Sequence, residues 1–254
     1  RINNQKVSLI AVGLFILCIS SKLSDKYYLC LINIKFFRMT DQEKYDNIFE
    51  SNRKWIEKNK VDNPGLFKLL VADQHPDFLY IGCSDSRVHP NQVMGLKPGE
   101  VFIHRNIANM VINTDLNALS VINYAVEYLK VKFIIVCGHY GCGGIKAAME
   151  NLDHGILNPW LRCIRDVYRL HQKELDAIDN LEARHRRLVE LNTYEQCLNV
   201  IKTAEVQKSY HKNGYPKVAG WIFDIHDAQL HDLNIDFEGE LNKIKKTYNI
   251  TEGM

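Results

Sequence analysis

Four short apolar runs limit what this chain can fold into. Phe78–Cys83, Val101–His104, Phe133–Cys137 and Val218–Phe223 are apolar or nearly so throughout, with little polar alternation. A strand apolar at every position is buried on both faces, as in a parallel sheet covered on each side. The intervening segments read as helices. Asp115 caps one that runs to about Leu129, with Leu119, Ile122, Val126 and Leu129 at helical spacing. Gly143-Gly144 leads into another through Met149, and Trp160–Leu170 and Leu181–Tyr210 follow. Upstream, Asp41–Lys58 is a polar helix with Tyr45, Ile48, Phe49 and Trp55 near one face, and Pro64-Gly65 separates it from a short helix, Phe67–Ala72. Strands alternating with helices predict an α/β fold, a mainly parallel central β-sheet flanked by helices on both faces, with Val218–Phe223 as its last strand.

The chain has 254 residues, 46% of them hydrophobic, enough to bury a core without a disulfide framework despite seven cysteines. Residues 1–38 stand apart. They hold six basic residues against Asp25 alone, a net +5 in a chain of net +2, so the body is mildly acidic. Such a body has no electrostatic reason to bind nucleic acid. The basic run Arg184-His185-Arg186-Arg187 is expected to be a solvated helix face. Val7–Ile19 is apolar after Arg1 and Lys6, the order of a signal peptide, yet short for a membrane span. The first methionine is Met39. We read 1–38 as an over-extended frame, with a targeting segment as the alternative, and 39–254 as a single domain. The body is expected to be cytoplasmic and off the membrane, or targeted or secreted if 1–38 is a genuine signal.

The chemistry concentrates just past two of the strands, in Cys83-Ser84-Asp85-Ser86-Arg87 and Gly138-His139-Tyr140-Gly141-Cys142-Gly143-Gly144. Open parallel sheets bind ligands beyond the carboxyl ends of their strands, so Cys83, His139 and Cys142 should converge on one crevice. Two thiolates and an imidazole suit zinc, and three protein ligands leave a fourth position open, the pattern of a catalytic site. Cys142 stands at a helix start, which favours the thiolate. The alternatives are cysteines as small buried hydrophobes and a Cys83–Cys142 disulfide, the latter disfavoured in a cytosolic chain. Asp85 beside such a site can accept a hydrogen from metal-bound water or compete as a fourth ligand, with Arg87 holding it in a charge-assisted pair. A plain salt bridge ordering the turn fits as well.

At these residues the chain resembles the β-class carbonic anhydrases. The matching strings are Cys83–Val88, Pro98-Gly99-Glu100, His104-Arg105-Asn106-Ile107-Ala108-Asn109 and Gly138–Gly144, together with Glu190-Leu191-Asn192 and Gly220-Trp221. The resemblance spans about Asp41 to about Ile235. It implies Zn2+ on Cys83, His139 and Cys142, an Asp85–Arg87 catalytic dyad, and reversible hydration of carbon dioxide to bicarbonate and a proton. Zinc lowers the pKa of its bound water to ~7, so hydroxide is available for attack near neutral pH. Gln74 matches the family's substrate-side amide donor. Phe102 and Tyr124 match the apolar and aromatic wall of a pocket built at a dimer interface, although core packing would explain both. The resemblance thus implies a homodimer or tetramer, with N-terminal helices packing on a partner subunit.

One departure stands out. Some bacterial members hold regulatory bicarbonate with a Trp, an Arg and a Tyr, and the matching positions here are Tyr80, Arg105 and Phe223. Phe223 cannot donate a hydrogen bond, so inhibition of that kind is not expected. His75, His89, His104 and His154 read as surface or packing residues. Other readings are a hydrolase of carbon disulfide or carbonyl sulfide on the same scaffold, a zinc-stabilised interaction protein, and a dithiol redox protein.

Overall fold

The computed structural model of the chain describes residues 39–253. The reading of 1–38 as an over-extended frame or targeting segment lies outside them. Two compact units meet in sequence at Leu69–Leu70. In the first, α1 (Asp41–Asp62) starts at a capping box. Thr40 Oγ1 accepts from the Glu43 amide at 3.2 Å, and a Glu43 carboxylate oxygen accepts from the Thr40 amide at 2.6 Å. Tyr45 packs edge-on against Phe49, and Trp55 against Phe67 on the short α2 (Leu66–Val71). No residue of α1 is buried.

The second unit is built on one five-stranded sheet. Its strands are β1 (Phe78–Cys83), β2 (Val101–Asn106), β3 (Phe133–His139), β4 (Lys217–Asp224) and β5 (Gln229–Asp232), in the order β2-β1-β3-β4-β5. The first four pair in parallel, Leu79 lying opposite Phe102 and Ile134, and Val136 opposite Gly220. β5 runs antiparallel to β4 and follows the strand expected to be last. Its Gln-Leu-His-Asp is short and largely exposed, so it carries no apolar run to announce it.

Leu79, Ile81, Ile134, Val136 and Val218 form one apolar face. Against it pack α4 (Leu116–Asn123), α8 (Leu181–Ile201), α9 (Ala204–Asn213) and α10 (Phe237–Thr247). The opposite face, Tyr80, Ile135, Cys137 and Phe223, is covered by Val93 and Met94 of α3 (Pro90–Met94). A third cluster joins α5 (Gly143–Met149), α6 (Asn158–Leu170), α7 (Gln172–Asp176) and α8 around Cys83, Cys142 and Ile222 near the strand ends. Filling each such position with a Leu, Ile or Val contributes roughly 1.5–3 kcal/mol.

The helix expected to run from Asp115 to Leu129 is α-helical only to Asn123 and widens into a π-turn, Tyr124–Tyr128. The single helix expected over Leu181–Tyr210 is two, α8 and α9, parted at Lys202-Thr203. The Thr203 hydroxyl turns back onto the Val200 carbonyl at 2.7 Å, and its extended backbone starts α9. Among the described residues no helix is long and apolar enough to cross a membrane.

Candidate active site

The strand ends bring the three candidate ligands together. Cys83 closes β1, His139 closes β3, and Cys142 is the N-cap of α5. Two thiols and an imidazole, each buried, present ligand atoms within 4.8 Å of one another, with the sulfurs 3.9 Å apart. His139 Nδ1 lies 3.0 Å from the Tyr140 carbonyl, which only accepts, so that nitrogen carries the hydrogen. Nε2 is left with a bare lone pair, buried and without a hydrogen-bond partner. A buried acceptor left unmet costs free energy, and this one belongs to a donor set of the soft kind that zinc prefers. These residues fit the metal.

Of the two thiols, Cys83 gives up its proton first. The Cys142 thiol bonds to it, backbone groups at Ala108 and Asp85 add to this, and its pKa falls to about 4 although burial opposes the change. The same contact, with burial and the Cys83 charge, pushes Cys142 upward. The backbone at Ala108 can aim at Cys83 because Ala108 sits in the left-handed region, φ 63°, a strained conformation for alanine. Asn192 of α8 restrains it by donating to the Ala108 carbonyl at 3.1 Å.

Asp85 and Arg87 form a two-pronged pair. Arg87 Nε reaches Asp85 Oδ1 at 2.9 Å and Nη2 reaches Oδ2 at 2.7 Å, while the Arg87 amide donates to Oδ1 at 3.0 Å. These bonds, led by the guanidinium, hold the Asp85 carboxyl far below the ordinary carboxylate range. Asp85 Oδ2 is also 3.8 Å from His139 Nε2, at the edge of the ligand cluster. Arg105 fixes the loop from below, donating to the Cys83 carbonyl at 2.8 Å and to the Asp85 carbonyl.

Comparison with known proteins identifies the family. The family model for carbonic anhydrase matches residues 78–230. A carbonic anhydrase of Emericella nidulans is 60% identical over 212 residues, covering 84% of this chain and 93% of that protein. The chain belongs to the β-carbonic anhydrase family. The β-carbonic anhydrase CafA of Aspergillus fumigatus superposes with a TM-score of 0.76 at 36% identity, over 81% of this chain and 99% of that one. One of two tetrameric β-carbonic anhydrases of Sordaria macrospora gives 0.73 at 37%, over 76% and 98%. Membership makes the chain a carbonic anhydrase enzyme, and carbon dioxide hydration is the family's reaction.

The remaining expected site residues lie elsewhere in this single chain. Gln74 is exposed, between α2 and β1. Phe102 and Tyr124 pack on each other, centroids 5.7 Å apart, and Tyr124 stacks on Tyr128. Among the described residues no hydrogen bond or ring contact ties these three to the ligands. Tyr80 and Phe223 are buried side by side with Cys137, and Arg105 is committed to its two carbonyls. His104 is buried against Asn106, and His154 lies 3.5 Å from Glu150.

One expectation is overturned. The run Arg184–Arg187 is half-buried, and it faces the loop that carries His139 and Cys142. Its charges are met by Asp224, Glu174 and Glu190 rather than by water alone. Of these partners Glu190 lies one turn along the same helix, while Asp224 comes from the end of β4, which the run read in isolation does not show.

Proposed function

We propose that the chain hydrates carbon dioxide reversibly to bicarbonate and a proton, with zinc on Cys83, His139 and Cys142 and with Asp85 and Arg87 as a catalytic dyad. The observation that carries this is the bare His139 Nε2, buried among two thiols with an ionised, Arg87-held carboxylate 3.8 Å away. Bound zinc supplies Lewis acidity, which lowers the pKa of a coordinated water to about 7.

The protein's own groups do the rest. Cys83, and Cys142 once a metal displaces its proton, would contribute negative charge, and the Tyr140 carbonyl fixes the His139 tautomer that leaves Nε2 free to coordinate. Asp85 is an acceptor only, because Arg87 keeps it ionised. It would therefore accept a hydrogen bond from the attacking water and orient a lone pair toward carbon, the proton of the reaction leaving to solvent buffer. By engaging both carboxylate oxygens, Arg87 keeps Asp85 from taking the open coordination position itself. Gln74, Phe102 and Tyr124 meet the substrate from across an interface between copies of the chain, giving an uncharged gas an apolar wall.

Stopped-flow hydration with a pH indicator, run beside zinc analysis, tests this reading. The zinc-loaded enzyme should turn over rapidly, and Asp85→Ala should retain zinc while losing about 100-fold or more in rate. An undiminished rate in Asp85→Ala would remove the dyad's role. Stoichiometric zinc without hydration from mildly acidic to alkaline pH would instead favour the sulfur-substrate hydrolase.

A further inference from the structure

The loop between the ligands His139 and Cys142 has little stiffness of its own. Gly141 is left-handed at φ 71°, and Gly143 has open space where a Cβ would stand. What grips the loop is one face of α8. His185 Nε2 lies 3.1 Å from the Cys142 carbonyl, which accepts, so His185 donates. That same oxygen takes the first helical bond of α5, from the Lys146 amide at 3.1 Å.

The next residue of α8, Arg186, holds its guanidinium 3.5 Å from the centre of the Tyr140 ring. The Tyr140 hydroxyl donates to Glu190 at 2.7 Å, and Arg187 holds the other Glu190 oxygen at 2.7 Å. Tyr140 in turn supplies the carbonyl that orients His139. Each ligand of the loop is thus governed by one backbone carbonyl, and each carbonyl belongs to a residue that α8 holds.

We propose that His185, and the Tyr140–Glu190 hydrogen bond, are positioning elements for the metal: through the Cys142 and Tyr140 carbonyls they set where Cys142 Sγ and His139 Nε2 stand. The inference rests on the metal reading above. Ligand distances must fall within about 0.2 Å of their ideal values, a tolerance that an unrestrained glycine loop does not meet. Partners of this kind typically alter metal affinity 10–100-fold.

The test is chelator competition for zinc in the full-length protein, with the visible spectrum of the cobalt-substituted form as a second readout. His185→Phe keeps a ring and removes the donor. His185→Gln keeps a donor, and Tyr140→Phe keeps the ring under Arg186 while cutting the bond to Glu190. Zinc should bind about tenfold more weakly in His185→Phe and in Tyr140→Phe, with shifted thiolate-to-cobalt bands, and His185→Gln should recover most of the loss. Unaltered affinity and spectrum in both the His185→Phe and Tyr140→Phe variants, whatever their melting temperatures, would overturn the inference. Should His185→Phe fail to fold, Tyr140→Phe decides alone. Zinc binding absent from the unsubstituted protein is a separate result that overturns the metal reading and this inference with it.

Discussion

One methyl group at Gly144 tests how closely the ligand segments approach. A Cβ there would stand 2.6 Å from Ile107 Cγ2 and 3.3 Å from Ala108 Cβ, whereas one at Gly143 would meet nothing within 4 Å. Both glycines sit in α5, where alanine is the better helix former by up to about 1 kcal/mol. Gly143→Ala should therefore be neutral or slightly stabilising in urea denaturation. Gly144→Ala must displace a β-branched side chain and the strained Ala108, at an overpacking cost of about 1–3 kcal/mol. Equal stabilities for the two variants would show that the segments are not in contact as described. This asymmetry was hidden in the sequence, where Gly143 and Gly144 look alike. Cys83, His139, Cys142 and Asp85 were legible because each stands at or just past an apolar run, and topology alone sends such positions to one crevice. Ala108 and His185 gave no such signal. Their roles come from φ 63° in one case and from a carbonyl 43 residues distant in the other.

At the scale of the element, α8 organises the site. Its buried positions include Asn192, Thr193 and Gln196 beside Leu188, Val189 and Val200. Asn192 holds the Ala108 carbonyl, Gln196 accepts from the Val111 amide at 2.8 Å, and Asn199 donates to the Val111 carbonyl at 3.0 Å. The helix thus serves as a hydrogen-bonding strut for the segment after β2, which has no ladder partner there. Polar residues on its inner face blur the apolar stripe that usually marks a helix and its end, so the break at Lys202-Thr203 went unread while the four main strands were read to within two residues. Gln196→Met keeps the volume and leaves the buried Val111 amide without an acceptor, which should cost about 1–3 kcal/mol. A lower urea midpoint at unchanged slope would bear this out. A midpoint equal to that of the unsubstituted protein would mean the Val111 amide finds another acceptor.

Among the described residues, the second unit leaves apolar surface uncovered. β2 is an edge of the sheet, and Ile103 upon it is 38% exposed. Tyr124 and Tyr128, stacked with ring centroids 5.2 Å apart, are 43% and 71% exposed, and Phe102 adjoins them. An open edge strand beside stacked, half-exposed aromatics is a surface prepared for association. The proposed assembly follows from this, since Phe102 and Tyr124 can meet substrate only where a second copy closes the pocket. Tyr128 is the informative position, lying in the stack yet outside the proposed substrate wall. Tyr128→Asp places a charge against the Tyr124 ring and should shift sedimentation velocity toward monomer at micromolar concentration. Hydration activity should fall in step with the lost assembly and return as concentration rises. If the variant sediments as the unsubstituted protein does and keeps its rate, the interface lies elsewhere. A monomer with full activity would go further, removing the need for a partner at the pocket and leaving the substrate wall to be found within one chain.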